Sequence, residues 1–320
     1  MELDAYLEHA ADQVDRLIDR YFGAPVGELN RAAAHLLSAG GKRLRPALMM
    51  LAADAVKKNS SDELMPAALA LELTHTFTLI HDDIMDRDSY RRGVPTVNHR
   101  WNEATAILAG DVLYSRAFSF IVGAIAPDAA RIRAVGMLAI TCDELCLGQH
   151  LDMSFASRDD VTDGEYLEMV EKKTGALYAA SASIGAVLAG ASEPQIEVLH
   201  RFGLACGVAF QIQDDLIDLL APSGTSGKDR GSDIREGKST LITILAREKG
   251  IDLSPYRHPL TEAECEDLIG LLADYGVIDE VRGRARGIVR DASALLKILP
   301  DSEEKRLLLA LGEYFVARGA

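Results

Sequence analysis

THTFTLIHDDIMD at residues 74–86 and FQIQDDLIDLL at residues 210–220 each place an Asp-Asp-x-x-Asp motif at the end of a mostly apolar run. At 3.6 residues per turn, positions four apart lie within about 40° of each other on a helix surface. Asp82 and Asp86 therefore share a face, and so do Asp214 and Asp218. Like charges one turn apart destabilise a helix and push carboxyl pKa values up unless a cation neutralises them. Paired hard oxygens that leave room for water and phosphate suit magnesium. A solvated acidic face explains one such motif as readily as a site does. Two copies flanked by Phe, Ile and Leu favour a multi-metal diphosphate site.

Outward from these motifs, apolar residues recur at helical spacing almost everywhere, and strand signals are nearly absent. Leu3, Tyr6, Leu7, Ala10, Val14, Leu17, Ile18 and Tyr21 form the stripe of an opening amphipathic helix. Further helices are predicted over about 28–38, 43–57, 62–89, 99–125, 128–155, 162–190, 194–220, 238–249, 261–274, 276–297 and 301–318. GALYAASASIGAVLAGA and RFGLACGVAFQIQ are apolar around most of their circumference, as suits helices buried among helices. The breaks carry ordinary turn residues such as Gly40-Gly41 and Arg92-Gly93-Val94-Pro95, and none resembles a domain linker. The expected fold is all-α, a large helical bundle forming a single domain over residues 1–320.

Of the 320 residues, 34 are Lys or Arg and 49 are Asp or Glu, a net charge of −15 that disfavours nucleic acid as a partner. Hydrophobic residues at 48% suffice for a sizeable core. Cys142, Cys146, Cys206 and Cys265 form no CxxC pair and no disulfide framework, so a cytoplasmic location is expected. The acidic N-terminal segment reads as neither signal peptide nor anchor. Apolar stretches such as residues 117–126 fall short of the roughly 20 residues needed to cross a bilayer, so no membrane span is expected.

A diphosphate also needs cations, and three basic groups lie near helix ends or glycine-rich turns. GGKRLRP at 40–46 puts Lys42 and Arg45 three apart where a helix begins, although basic residues are unfavourable there unless an anion is bound. Arg91-Arg92 follows the first acidic motif, with Gly93-Val94-Pro95 ending that helix. Ser223 through Lys238 is a Gly/Ser-rich loop carrying Lys228 and Lys238, able to close over phosphates or to serve as an ordinary surface loop. Gly231 to Ser239 imitates a nucleotide-binding P-loop, but it has five residues between its glycines and follows a helix, so that reading fails. On its own, His75 reads as a satisfied core histidine, and Cys142 and Cys146 as small core residues.

Taken together, GGKRLRP, LIHDDIMDRDSYRRGVPTVNHRW, GQHLDM, KKTGALY, FQIQDDLIDL and GKDRGSDIREGKST resemble the trans-isoprenyl diphosphate synthases, the polyprenyl synthetase family. The likeness spans about residues 38–242 and is strongest to the archaeal-type short-chain members, the geranylgeranyl diphosphate synthases. It implies an all-helical fold around a deep central cavity, a homodimer, and a magnesium cofactor. Lys42, Arg45, His75 and Arg92 would bind isopentenyl diphosphate. Asp82, Asp86 and Asp214 would hold magnesium on the allylic diphosphate, with Asp83, Asp215 and Asp218 on metal waters or basic side chains. Arg91, Lys173, Lys228 and Lys238 would grip that diphosphate, and Thr174 and Gln211 would set oxygens beside the developing cation.

The implied reaction is a prenyltransferase condensation of isopentenyl diphosphate with dimethylallyl, geranyl or farnesyl diphosphate by ionisation of the allylic partner. The released diphosphate would take the proton, so no separate general base is needed. Farnesyl or longer-chain synthesis, or a noncatalytic subunit of a heteromeric synthase, are the alternatives. A terpenoid cyclase should lack GGKRLRP and the second acidic motif. Phe77 lies five residues before Asp82, about 7.5 Å down the helix, and in such enzymes an aromatic there marks a twenty-carbon product. Phe77→Ala is expected to lengthen the product; an unchanged product distribution from a folded, active variant, read by mass spectrometry, refutes this.

Overall fold

The computed structural model describes residues 2–221 and 230–317. In chain order its helices are α1 (Leu3–Phe22), α2 (Glu28–Ser38), α3 (Leu44–Val56), α4 (Ser61–Met85), α5 (Val97–Arg100), α6 (Glu103–Val122), α7 (Asp128–Phe155) and α8 (Asp163–Val170). They continue with α9 (Ala176–Ala189), α10 (Glu193–Leu220), α11 (Ser232–Arg235), α12 (Leu241–Glu248), α13 (Glu262–Asp274), α14 (Val277–Leu295) and α15 (Glu303–Ala317). A two-stranded antiparallel ribbon, β1 (Tyr90–Arg91) with β2 (Val94–Pro95), is the sole sheet among the described residues. The all-α class expected from the sequence is the class observed.

Starts and stops follow local chemistry. Thr162, Thr240 and Thr261 each cap a helix through a reciprocal capping box, and the Asn102 side chain accepts from the Thr105 amide at 2.8 Å to open α6. α3 is buried around most of its surface because Ala, Leu and Met fill most of its positions, and the Ala- and Leu-rich stretch 67–73 of α4 is buried throughout.

Two corrections to the expected elements concern the region around the first acidic motif. The helix predicted over 62–89 stops at Met85 because Arg87 adopts a left-handed conformation (φ 58). The Asp88 amide then reaches back to the Asp83 carbonyl at 2.9 Å and that of Arg87 to Ile84 at 3.3 Å, closing a Schellman motif without glycine. Arg91-Arg92 consequently sits in a hairpin rather than at a helix end, with φ positive at both turn residues, Arg92 (52) and Gly93 (75). The helix predicted over 99–125 is broken after Arg100, where Trp101 leaves helical geometry and the extended backbone of Asn102 starts α6.

The chain groups into two compact units. One contains residues up to Cys142 together with Leu177–Gly203 and Leu296–Leu308; the other contains Asp143–Ala176, Leu204–Leu295 and the chain from Leu309. The first carries the first acidic motif on α4. The second carries the other on α10, around a core that includes Tyr166, Ile212, Leu216, Leu241, Leu268 and Val281.

By length and composition alone, α6 is apolar enough to cross a membrane, although Asp111 and Arg116 interrupt its apolar run. Its Ala106, Ala109, Gly110, Leu113, Ala117 and Ile121 form one buried stripe, while Ile107, Leu108, Tyr114 and Val122 are exposed. An apolar helix with one face in a protein core and the other uncovered also fits an interface helix.

In the first unit, α9 lies directly on α3. A Cβ added at Gly185 would meet the Met49 carbonyl oxygen at 2.3 Å, and both atoms belong to helix backbones that cannot step aside cheaply. Gly185→Val is expected to lower unfolding free energy by about 2 kcal/mol, measured by urea denaturation; an unaltered midpoint would show that the two helices are free to separate.

Candidate active site

Around the first motif, the three carboxylates divide by environment. Asp86 follows the last helical residue, yet its amide donates to the Asp82 carbonyl at 2.8 Å, so the two acids keep their one-turn spacing. Asp83 turns inward and is fully buried, where Arg91 Nε donates to its Oδ1 at 2.5 Å. Burial pushes the Asp83 pKa up to about 6, against the opposing pull of Arg91. Arg91 is shared with Asp88, whose Oδ2 lies 3.4 Å from Nη2.

The GGKRLRP turn supplies cations to the same unit. Gly40, Gly41 and Arg43 all take positive φ (82, 152 and 46), and α3 starts immediately afterwards. Arg45 stacks its guanidinium 4.3 Å from the Tyr178 ring centre, and its buried Nε has no hydrogen-bond partner among the described residues. Arg92 Nη1 donates to the carbonyls of Gly40 and Leu36. His75 faces this group: burial first, then Arg45, Arg92, Arg91 and Arg43, hold its pKa well below the usual histidine value. A neutral imidazole so placed has one N–H for an anion and no charge of its own. Two residues on, Phe77 packs edge-to-face on Tyr114 (5.2 Å) and His81 (5.9 Å).

In the second unit, Asp214, Asp215 and Asp218 ride on α10. Asp215 is buried and accepts from the Tyr166 hydroxyl at 2.7 Å and from Gln211 Nε2 at 3.0 Å. Burial, then Asp233, pushes its pKa up to about 8. Because the Gln211 amide nitrogen is committed to Asp215, its Oε1 is turned toward Thr174, whose hydroxyl donates to it at 3.0 Å. Asp218 accepts from Ser232 Oγ at 2.6 Å and the Asp233 amide at 3.1 Å, and burial raises its pKa too.

Lys173 and Thr174 lie in a π-helical turn, Glu171–Gly175, inserted between α8 and α9. Lys173 Nζ donates to Asp152 at 2.5 Å. The backbone of α7 presses on this turn at Gly148, where a Cβ would stand 2.2 Å from the Lys173 nitrogen. Lys238 pairs with Asp233 at 3.0 Å and Glu236 at 3.4 Å; burial works against its charge, but these acids carry its pKa above the ordinary lysine value. Lys228 lies outside the described residues.

Residues 26–257 match the model of the polyprenyl synthetase family. The chain belongs to the polyprenyl synthetase family. It is 46% identical to a geranylgeranyl diphosphate synthase of Methanosarcina mazei, over 99% of this chain and 98% of that one. It is equally 46% identical to a geranylfarnesyl diphosphate synthase of Natronomonas pharaonis, over 91% and 90% of the two chains. Among solved structures, a geranylgeranyl pyrophosphate synthetase from Geoglobus acetivorans superposes with a TM-score of 0.91 at 44% identity, covering 98% of this chain and 99% of that one.

Within this polyprenyl synthetase, Lys42, Arg45, His75, Phe77, Asp82, Asp86, Arg91 and Arg92 belong to the first unit, and Lys173, Thr174, Gln211, Asp214 and Lys238 to the second. Asp83 meets a basic side chain, as the resemblance implied. Asp215 and Asp218 instead accept from Tyr166, Gln211, Ser232 and a backbone amide. Sequence reading assigned no role to Asp152 or Tyr166. Asp152 was visible in GQHLDM, whereas a tyrosine within an amphipathic helix gives no sign of the carboxylate it will meet.

The close approach at Gly148 has a measurable consequence for Lys173. Gly148→Ala should lower turnover by at least about tenfold while leaving most of the helical circular dichroism in place, because a small displacement of a positioned group is costly to rate. Wild-type turnover in the variant would show that the π turn tolerates displacement.

Proposed function

We propose that the chain is a trans-prenyltransferase that condenses isopentenyl diphosphate head-to-tail with dimethylallyl, geranyl and farnesyl diphosphates, with geranylgeranyl diphosphate as the main product. The observation that carries this reading is the gathering of Arg45, Arg91 and Arg92 about His75, in the unit that also bears the Asp82–Asp86 pair. Cations for one diphosphate and carboxylates for the metal of another are what the condensation requires. Relatives named geranylgeranyl diphosphate synthase, at 46% and 47% identity, support the product assignment.

The donor set fits magnesium. Among the described residues, no three His, Cys, Asp or Glu side chains gather into a closed metal cage. Each motif offers a carboxylate pair that leaves coordination positions for phosphate oxygens and water, as magnesium demands. Asp82, Asp86 and Asp214 would hold it, and when bound it supplies neutralisation of the departing diphosphate charge. Lys42, Arg45, His75 and Arg92 bind isopentenyl diphosphate; Arg91, Lys173, Lys228 and Lys238 bind the allylic diphosphate. Thr174 and Gln211 present oxygens to the allylic cation, and the released diphosphate removes the proton. Apolar walls exclude the water that would quench that cation.

The same reading makes the chain one functional domain and a homodimer in the cytoplasm. The exposed Ile107, Leu108 and Val122 on α6 support self-association, and four cysteines without a disulfide among the described residues fit a reducing compartment. A second product reading, a twenty-five-carbon chain, is favoured by the identity to the geranylfarnesyl diphosphate synthase of Natronomonas pharaonis.

Purified protein incubated with magnesium, isopentenyl diphosphate and each allylic primer in turn is expected to yield mainly the twenty-carbon diphosphate by mass spectrometry. A twenty-five-carbon product would retain the reaction and overturn Phe77 as the stop. No condensation by folded protein would overturn the enzyme assignment.

A further inference from the structure

The cations of the first unit are tied to one interior carboxylate. Glu72, only 2% exposed, lies on α4 three residues before His75. Arg43 Nη1 donates to its Oε1 at 2.5 Å, and Arg92 Nη2 lies 3.9 Å from the same oxygen. The two arginines come from different turns, yet both hold the left-handed conformation, at φ 46 and φ 52. Non-glycine residues persist there only where surrounding contacts over-determine them.

Those contacts are on hand. Arg43 is 1% exposed at its side chain, too enclosed to reach a ligand, and donates as well to Asp15 at 2.9 Å and the Leu37 carbonyl at 2.7 Å. Arg92 lies across the Gly40–Gly41 backbone, with its guanidinium 3.1 Å from where a Gly41 Cβ would sit. Glu72 is thus the group common to the turn carrying Lys42 and Arg45 and to the hairpin carrying Arg91 and Arg92. Eleven residues along α4, about three turns and so on the same face, Asp83 repeats the arrangement with Arg91. A buried carboxylate stripped of its partner is costly, and so is a buried guanidinium, so neither turn can drift without the other.

We propose that Glu72 is a positioning residue: through Arg43 and Arg92 it sets the spacing of the two cationic turns that grip isopentenyl diphosphate. This rests on the assignment of Lys42, Arg45, His75 and Arg92 to that substrate. Glu72 touches no substrate itself. Its neutralisation frees Arg92 to swing away from Gly40 and leaves Arg43 with Asp15 as its one carboxylate beside the Leu37 carbonyl.

Steady-state kinetics of Glu72→Gln test this, with each substrate varied in turn. The KM for isopentenyl diphosphate should rise at least tenfold, while the KM for farnesyl diphosphate stays within twofold. Glu72→Asp, which keeps the charge but shortens the reach, should move the same constant in the same direction by a smaller factor, and it covers the case in which Glu72→Gln folds poorly. In an Arg92→Met background, Glu72→Gln should add a smaller factor than it does in the wild type, because one of its two routes, that through Arg92, is already gone. An unchanged KM for isopentenyl diphosphate in a folded Glu72 variant, equal loss toward both substrates, or full additivity with Arg92→Met overturns the proposal. Wild-type protein that fails to consume isopentenyl diphosphate overturns the functional reading instead.

Discussion

Charge held against an apolar helical frame is the constraint on which this protein is built. α4 and α10 are core helices, yet each ends in three aspartates, and an ionised carboxylate deprived of water needs donors or cations in its place. Each inward-facing acid has them. Asp83 receives Arg91, Glu72 receives Arg43 with Arg92 close by, and Asp215 receives Tyr166 and Gln211. Compensation is incomplete at Asp83 and Asp215, whose pKa values stay raised to about 6 and about 8. Both carboxyls therefore hold protons more tightly folded than unfolded. The stability they contribute is fullest below the unfolded carboxyl range and is lost as pH rises through those folded values.

The second motif shows what such compensation does for chemistry. Asp215 does not point its carboxylate outward with its neighbours; it anchors the amide of Gln211, and the tyrosine behind it completes its shell. The result is an oxygen of fixed orientation beside Thr174, on a helix interrupted by a π turn. Preorganised dipoles of this kind need no rearrangement when positive charge develops. Unusual backbone does the same work elsewhere: left-handed arginines in two turns, a glycine-free Schellman motif and a glycine pressed against Lys173 all aim side chains that regular helix geometry would point differently.

Much of this was legible along the chain. The helical period identified the all-α class, and most predicted spans coincide with observed helices. The spacing of the acids survives even at Asp86, beyond the helix proper, because that residue keeps right-handed helical geometry. Misreadings cluster where a single residue departs from its usual conformation. Nothing in the string Asp86-Arg87-Asp88 announces a left-handed arginine, so helical periodicity runs on past the true end at Met85 and does not reveal the hairpin that holds Arg91-Arg92. Likewise α6 mixes Asp111 and Arg116 into an apolar segment, and only its packing shows that one apolar face is buried and the other is not.

Sequence alone determined the residue types and their repeats: two carboxylate pairs at helical spacing, three basic groups beside glycine-rich turns, and a family signature dense enough to name the chemistry. These are properties of short-range order, governed by helix geometry over a few residues. Tertiary structure decided the partners. That Glu72 meets arginines from two separate turns, that Asp152 receives Lys173, and that Asp215 belongs to Tyr166 and Gln211 depends on which helices pack together. Burial sets how strongly each charge demands a partner, and no local window of sequence contains it.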